Sequence, residues 1–89
     1  MIEVRLEIVN RLGLHARAAA KFVTLAGHFE STIELVVSGQ AANGKSIMAV
    51  MMLAARQGMT LELRADGSDE ADAVQQLSEL VASRFGEPE

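Results

Sequence analysis

The chain has 89 residues, 49% of them hydrophobic and 22% charged, so we expect one globular domain over residues 1–89. The 12 acidic residues outnumber the 8 basic ones and the only aromatic residues are three phenylalanines, which argues against a nucleic-acid-binding protein. The lack of cysteine excludes disulfides and thiolate zinc sites, and no apolar run has membrane-spanning length, so we expect a cytoplasmic protein without membrane insertion.

The first half of the chain has the pattern of a strand, a helix and a strand. Apolar and polar residues alternate over 2–8, which predicts a strand with one buried face. An alanine-rich helix is predicted from Ala16, with Gly27 at its end and a buried stripe of Ala16, Ala19, Ala20, Val23 and Ala26 beside Phe22. Residues 32–37 alternate again and predict a second strand, which ends at Gly39.

The second half predicts two more strands and two more helices. Residues 40–42 form a weak third strand, and a short helix over 47–55 follows Ser46, its predicted cap, with Val50, Leu53 and Ala54 in the core. Residues 59–65 alternate as a fourth strand. The last helix is predicted to follow Ser68 and to bury Val74, Leu77, Leu80, Val81 and Phe85. The order βαββαβα, with half-polar strands, favours an α+β fold whose sheet has helices on one face.

The junction before the first helix is the most informative point for function. His15 stands where the unpaired backbone N–H groups and the positive end of the helix dipole disfavour an imidazolium, so the ring should be neutral and nucleophilic. The same N–H groups suit a phosphoryl group on that ring, and Arg17 offers a guanidinium to its oxygens. The alternative interpretation is an ordinary surface histidine near a helix start.

Other chemistry has weaker support. No second acid or base lies at a catalytic spacing from His15, which argues against a self-contained hydrolase. His28 follows Gly27 and is interpreted as a solvated or capping residue. Two histidines without clustered carboxylates make a poor metal site, so we expect neither a metal nor a cofactor.

The short helix after Asn43 and Gly44 has two interpretations. Ser46 is either only a helix cap or also a regulatory phosphosite, where added charge would alter the adjoining surface. A helix that packs against the domain on one side only cannot bury Ile47, Met48 and Met51 together. Methionine is flexible and suits a surface that accepts several partners, so these residues are either core or a docking site.

Two segments resemble a known family. Residues 10–26 read NRLGLHARAAAKFVTLA and are similar to the active-site segment of HPr, the histidine phosphocarrier of the bacterial phosphoenolpyruvate-dependent phosphotransferase system. Residues 44–55 read GKSIMAVMMLAA and resemble the serine-site helix of the same family. Both motifs occur in the right order, and the βαββαβα layout covers essentially the whole chain.

The resemblance implies an open-faced β-sandwich, in which three helices cover one face of a four-stranded antiparallel sheet. His15 matches the histidine that carries the phosphoryl group on Nδ1, and Arg17 the arginine that neutralises it, with the Ala16 and Arg17 amides as phosphate donors. Ser46 matches a serine that a dedicated kinase phosphorylates in some lineages, and Ile47, Met48 and Met51 fall on the partner-docking surface. Enzyme I would be the phosphoryl donor and IIA-type domains the acceptors.

One position departs from the family pattern. Many members have proline after His-Ala-Arg, whereas this chain has Ala18. Alanine keeps helical geometry and adds a backbone donor, so we expect phosphotransfer to survive. The alanine run and the string over 49–52 look closer to the nitrogen-related branch (NPr) and to HPr-like carriers of proteobacteria, which weakens the expectation of sugar uptake and leaves transport and regulation both open.

The sequence therefore predicts a monomeric phosphocarrier, itself the substrate of two successive phosphotransfers rather than an enzyme. One alternative is a binding module of the same fold that regulates by contact, without a phosphohistidine. A second is a small-ligand sensor related only by element order, which would need an apolar pocket at an oligomer interface.

Overall fold

The computed structural model describes residues 1–89, and its elements follow the expected order. They are β1 (Ile2–Glu7), α1 (Ala16–Ala26), β2 (Thr32–Val37), β3 (Gln40–Asn43), α2 (Ile47–Met52), β4 (Thr60–Asp66) and α3 (Glu70–Ala82), with a final 3₁₀ turn over Arg84–Gly86. None of the helices is long and apolar enough to cross a membrane.

The four strands form one antiparallel sheet in the order β1-β4-β2-β3. The register places Leu63 of β4 between Val4 of β1 and Leu35 of β2, so apolar residues of neighbouring strands share one face. On the other face Arg64 binds the carboxylates of Glu3 and Glu34 at 2.8 and 3.0 Å. One face is therefore built for the core and the other for water.

The core fills the space between the sheet and the three helices. Leu61, Leu63 and Ala65 of β4 are fully buried, as are Phe22 of α1 and Leu77 of α3. Complete burial of a large apolar side chain contributes about 1.5–3 kcal/mol, so packing alone is able to hold a fold without disulfides. The expected α+β open-faced sandwich is confirmed, with all three helices on one face.

Several details of the helices differ from the sequence-based expectation. In α1 the buried residues are Ala18, Ala19, Phe22 and Ala26, so the buried stripe is rotated from the expected one: Ala16 is exposed, and Ala20 and Val23 are only partly buried. Helix α2 ends at Met52 rather than residue 55, since Ala54 takes a left-handed backbone with φ 53° and is exposed.

The start and end of α3 also differ. Its N-terminal flanking residue is Asp69, not Ser68, because the Asp69 carboxylate accepts hydrogen bonds from the amides of Glu30 and Ser31. Phe85 is buried as expected, but from the 3₁₀ turn, and Val74 and Leu80 are only partly buried. Gly27 ends α1 as expected, although with a right-handed φ of −64° that any residue adopts.

Candidate functional site

The N-terminus of α1 holds the central residue of the candidate site. His15 is the N-cap with extended backbone angles (φ −69°, ψ 176°), and its carbonyl accepts the first helical bond from the Ala19 amide at 2.8 Å. Its side chain does not cap the helix. The amides of Ala16, Arg17 and Ala18 have no acceptor within the chain, so this turn presents free donors and the positive end of the helix dipole.

The loop before His15 is fixed against the segment that follows α2. Gly13 has φ +65°, and a Cβ at this position would lie 2.3 Å from the Ala55 carbonyl oxygen. The same oxygen accepts the amide of Leu14 at 2.9 Å, and the Leu14 side chain is buried. Only glycine fits this close approach in a left-handed conformation. The contacts of Gly13 and Leu14 with Ala55 therefore fix the backbone position from which the His15 side chain extends.

The His15 imidazole is partly open and has one protein partner. Its side chain is 27% exposed, and Nε2 lies in hydrogen-bond contact with the carboxylate Oε2 of Glu87. Nδ1 makes no hydrogen bond within the chain. An ionised carboxylate only accepts, so in the neutral ring Nε2 carries the proton and Nδ1 carries the free lone pair. Nδ1 is therefore the ring nitrogen whose lone pair is open to an arriving group.

Glu87 is held in its ionised form by its neighbours. Burial of the Glu87 carboxyl raises its pKa, but hydrogen bonds from Asn10 and His15 and the charges of His15 and Arg17 lower it more. The net pKa of Glu87 therefore lies below its ordinary value. The Asn10 amide nitrogen donates to Glu87 Oε1 at 2.9 Å, so both carboxylate oxygens have a partner.

Arg17 is exposed and makes no ion pair or hydrogen bond through its side chain. It lines a shallow cavity of about 270 Å³ together with Leu12, Glu87 and the Arg11–Glu89 ion pair, whose charged atoms are 2.9 Å apart. Because Arg11 is already paired, Arg17 is the cation of this region that is free to bind an arriving anion.

An apolar patch continues the site along α2. It consists of Ile47, Met48, Met51 and Met52, with 40%, 67%, 38% and 69% of their surface exposed. Leu12, 64% exposed, adds an apolar side chain in the loop before His15. Ser46 caps α2 by accepting the Ala49 amide at 3.3 Å and stands next to the patch, half-buried.

The other histidine, His28, lies beyond the opposite end of α1 from His15. His28 is exposed just after α1 and lines a groove with Lys21 and Leu80 between α1 and α3. No group of three or more His, Asp or Glu side chains is arranged to hold a metal ion.

Comparisons with known proteins give the family. Residues 2–83 match the family model described as "PTS HPr component phosphorylation site". The chain belongs to the HPr family. It is 47% identical over all 89 residues of both chains to the protein named "Phosphocarrier protein HPr" from Neisseria meningitidis serogroup A.

Solved structures agree with the family assignment. An HPr crystal structure from Thermoanaerobacter tengcongensis is 45% identical, covers 100% of both chains and superposes with a TM-score of 0.96. A crystal structure described as an HPr dimer from the same organism is 46% identical, with a TM-score of 0.79 over 98% of this chain and 100% of that one. The expectation of an HPr-family phosphocarrier of the phosphotransferase system is confirmed at the level of the family.

The HPr fold places the expected residues near one another and adds others that sequence reasoning missed. His15, Arg17 and the amides of Ala16 and Arg17 lie together at the start of α1, and Ile47, Met48 and Met51 lie together on α2. Glu87 and Asn10 were missed because Glu87 is 72 residues from His15 and no spacing pattern connects them. Met52 and Leu12 were missed as exposed apolar residues, although the methionine run was a usable signal for Met52.

Proposed function

We propose that this protein accepts a phosphoryl group on His15 from enzyme I and passes it to IIA-type acceptors. The observation that supports the proposal best is the state of the His15 ring. It is partly exposed, its Nε2 is occupied by Glu87 and its Nδ1 is free, at the N-terminus of a helix with unpaired amides. A phosphoryl group needs such a nucleophile together with positive charge for its oxygens.

The chemistry of acceptance follows from the free groups at the site. The Nδ1 lone pair attacks phosphorus, and the Ala16 and Arg17 amides bind the anionic oxygens that come to the helix start. The Arg17 guanidinium, which has no partner of its own, adds a forked donor and a positive charge. The two amides are fixed by the backbone of α1 before the reaction, so little reorganisation of these donors is needed.

The same features suit a substrate of phosphotransfer rather than a catalyst. The cavity beside the site holds about 270 Å³ and is open to water, so the partner proteins have to close over His15 and exclude water. We infer that residues 1–89 act as a single cytoplasmic domain which alternates between donor and acceptor complexes, without a cofactor of its own.

The apolar patch is proposed as the docking surface for these partners. Ile47, Met48 and Met51 lie on a helix that packs beside α1, and the long, flexible methionines adapt to differently shaped partners. Met52 belongs to the same patch, and Leu12 offers a further exposed apolar side chain in the loop before His15. A single docking surface next to His15 would serve enzyme I and the IIA acceptors in turn.

Ser46 is proposed as a regulatory phosphosite in addition to its role as a cap. It is half-buried and adjoins the patch, so a phosphate there would put about two negative charges beside apolar side chains that bury on docking. A dedicated kinase would be needed for this control.

The deciding experiment is phosphorylation with enzyme I and labelled phosphoenolpyruvate. We expect an acid-labile adduct of one phosphoryl group per chain, absent in His15→Ala and retained in the matched variant His28→Ala. Stable binding to enzyme I without any adduct would instead favour a module that regulates by contact.

The state of assembly is tested by light scattering at several concentrations. We propose a monomer, because docking needs the patch and His15 uncovered. A dimer like that described for the Thermoanaerobacter tengcongensis relative is the alternative outcome.

A further inference from the structure

The segment over residues 84–89 is folded back onto the candidate site. Arg84, Phe85 and Gly86 all have a left-handed backbone, with φ between 54° and 78°, which reverses the chain after α3. Phe85 is fully buried, and its carbonyl accepts the Lys21 ammonium at 2.7 Å. The buried ring and this bond anchor the segment two residues before Glu87, so the Glu87 carboxylate reaches His15 from a fixed backbone.

A buried asparagine fixes the other side of the carboxylate. Asn10 is fully buried, and its amide nitrogen donates to the Gly13 carbonyl at 2.8 Å and to Glu87 Oε1 at 2.9 Å. Both partners only accept hydrogen bonds, so the NH₂ group has to face them and the Asn10 side chain has one possible orientation. The Asn10 oxygen is left without a partner, a cost that the fold tolerates to hold Glu87.

We propose that Glu87 is a positioning residue for phosphotransfer at His15. Asn10 holds the Glu87 carboxylate in place, and this carboxylate fixes the ring proton on Nε2 and balances the charge of the ring after phosphorylation. The inference deepens the proposed function of His15 and rests on it. Asn10 contacts the Glu87 carboxylate, and the carboxylate contacts the imidazole. Other nucleophilic sites have a comparable arrangement, in which a further side chain orients the group that contacts the nucleophile.

The phosphotransfer step needs no proton transfer in this arrangement. The Nδ1 lone pair forms the bond to phosphorus, and the bond between phosphorus and the donor atom breaks with its electron pair going to the donor. The ring is left as a phosphoimidazolium whose proton is still on Nε2, facing the Glu87 carboxylate. In discharge a nucleophilic atom of the acceptor forms the new bond to phosphorus, while the Nδ1–P bond breaks and its electron pair returns to Nδ1.

Two variants of Glu87 test its two effects. Glu87→Gln has no charge and offers one oxygen to two donors, the Asn10 amide and Nε2–H, so the preference for the Nε2–H tautomer should weaken while charging by enzyme I slows about tenfold, the effect of one charged hydrogen bond. Glu87→Ala removes both effects. Nitrogen-15 NMR of its neutral ring should show exchange between the Nε2–H and Nδ1–H tautomers, with charging at least as slow as in Glu87→Gln.

The matched control is Glu79→Gln, an exposed glutamate of α3 that has no contact with His15. We expect wild-type tautomers and a wild-type charging rate, whereas Asn10→Ala should shift both readouts in the direction of Glu87→Ala. A wild-type tautomer population in Glu87→Ala, or charging as fast as in Glu79→Gln, would overturn the inference. A wild-type protein that accepts no phosphoryl group would contradict the proposed function, while the tautomer comparison would still test Glu87.

Discussion

Gly13 lies against the backbone carbonyl of Ala55, and this contact joins the loop before His15 to the segment after α2. The Leu14 amide donates to the same oxygen at 2.9 Å. The candidate phosphoryl site and the apolar patch on α2 are therefore attached to one another through backbone rather than through flexible side chains. A partner docked on the patch meets His15 at a fixed position, which is what a carrier with successive partners requires.

Gly13→Ala should destabilise the protein strongly. The left-handed φ of +65° costs a non-glycine residue about 1–2 kcal/mol, and overlap of the new Cβ with the Ala55 oxygen costs about 1–3 kcal/mol more. Gly39→Ala is the matched control, since Gly39 has φ +80° but no atom within 4 Å of an added Cβ. Urea unfolding should give a larger loss for Gly13→Ala, and equal losses would show that the close approach carries no cost.

Arg17→Ala should slow both acceptance and release of the phosphoryl group. Loss of this unpaired cation two residues from His15 should lower both rates about 10- to 100-fold, less than at a buried oxyanion site because water screens an open one. Arg11→Ala is the control, because Arg11 lines the same cavity but is paired with Glu89. Rates measured by quenched flow with enzyme I and an IIA acceptor should separate the two variants. Unchanged rates in Arg17→Ala would exclude this arginine from the reaction.

Much of the fold could be predicted because the periodicity of the apolar residues and the positions of the turn residues indicate the same elements. Alternation in β1, β2 and β4 predicted strands within one residue of their observed bounds, and Gly39 lies at the turn that was expected there. The errors arose where tertiary contacts override local signals. Serine is a favourable N-cap residue, so Ser68 was expected to precede α3. The amides of Glu30 and Ser31 donate hydrogen bonds to the Asp69 carboxylate, and this contact between distant parts of the chain holds Asp69 as the residue before α3.

The candidate site divides in the same way into local and long-range parts. His15, Ala16 and Arg17 are neighbours in sequence, so the helix start that joins them could be identified from the pattern alone. Glu87 meets His15 only because three left-handed residues turn the chain back after α3, and two of them, Arg84 and Phe85, are not glycine. Local propensity favours no such turn, so no local rule predicts Glu87.

Asp69 should make stability depend on pH in the acidic range. The Ser31 hydroxyl and the Glu30 amide donate to the Asp69 carboxylate and lower its pKa below the usual 3.8. The ionised form is therefore favoured in the folded state, and its contribution is complete above pH 3.8 and is lost as the pH falls through the lowered value.

Asp69→Asn tests this dependence, because its NH₂ group would face donors that it cannot bind. Denaturant unfolding should show a less stable variant near neutral pH and convergence with the wild type in acid. Asp72→Asn, at an exposed position of the same helix turn, should cost less near neutral pH. A difference that stays constant into acid would contradict the role of the Asp69 charge.

Met48→Ala should weaken binding of enzyme I with little effect on the fold. Met48 is 67% exposed, so its truncation leaves the core intact but removes apolar area from the patch. We expect Kd to rise about tenfold, as for a central interface side chain, measured by calorimetry. Gln76→Ala, on an exposed position of α3, is the control and should bind as the wild type does. Wild-type affinity in Met48→Ala would place the docking surface elsewhere.

Ser46→Asp should weaken the encounter with enzyme I, whereas Ser46→Ala should not. Aspartate still caps α2 through its carboxylate, so the fold is kept, but its charge has to lose water when the neighbouring Ile47 and Met48 are buried on docking. Ser46→Ala removes the cap without adding charge, and should lower the free energy of unfolding by about 0.5–2 kcal/mol while affinity stays at the wild-type value. Unfolding curves and calorimetric titrations of both variants separate the two roles. If Ser46→Asp bound enzyme I as tightly as Ser46→Ala does, Ser46 would be a helix cap only.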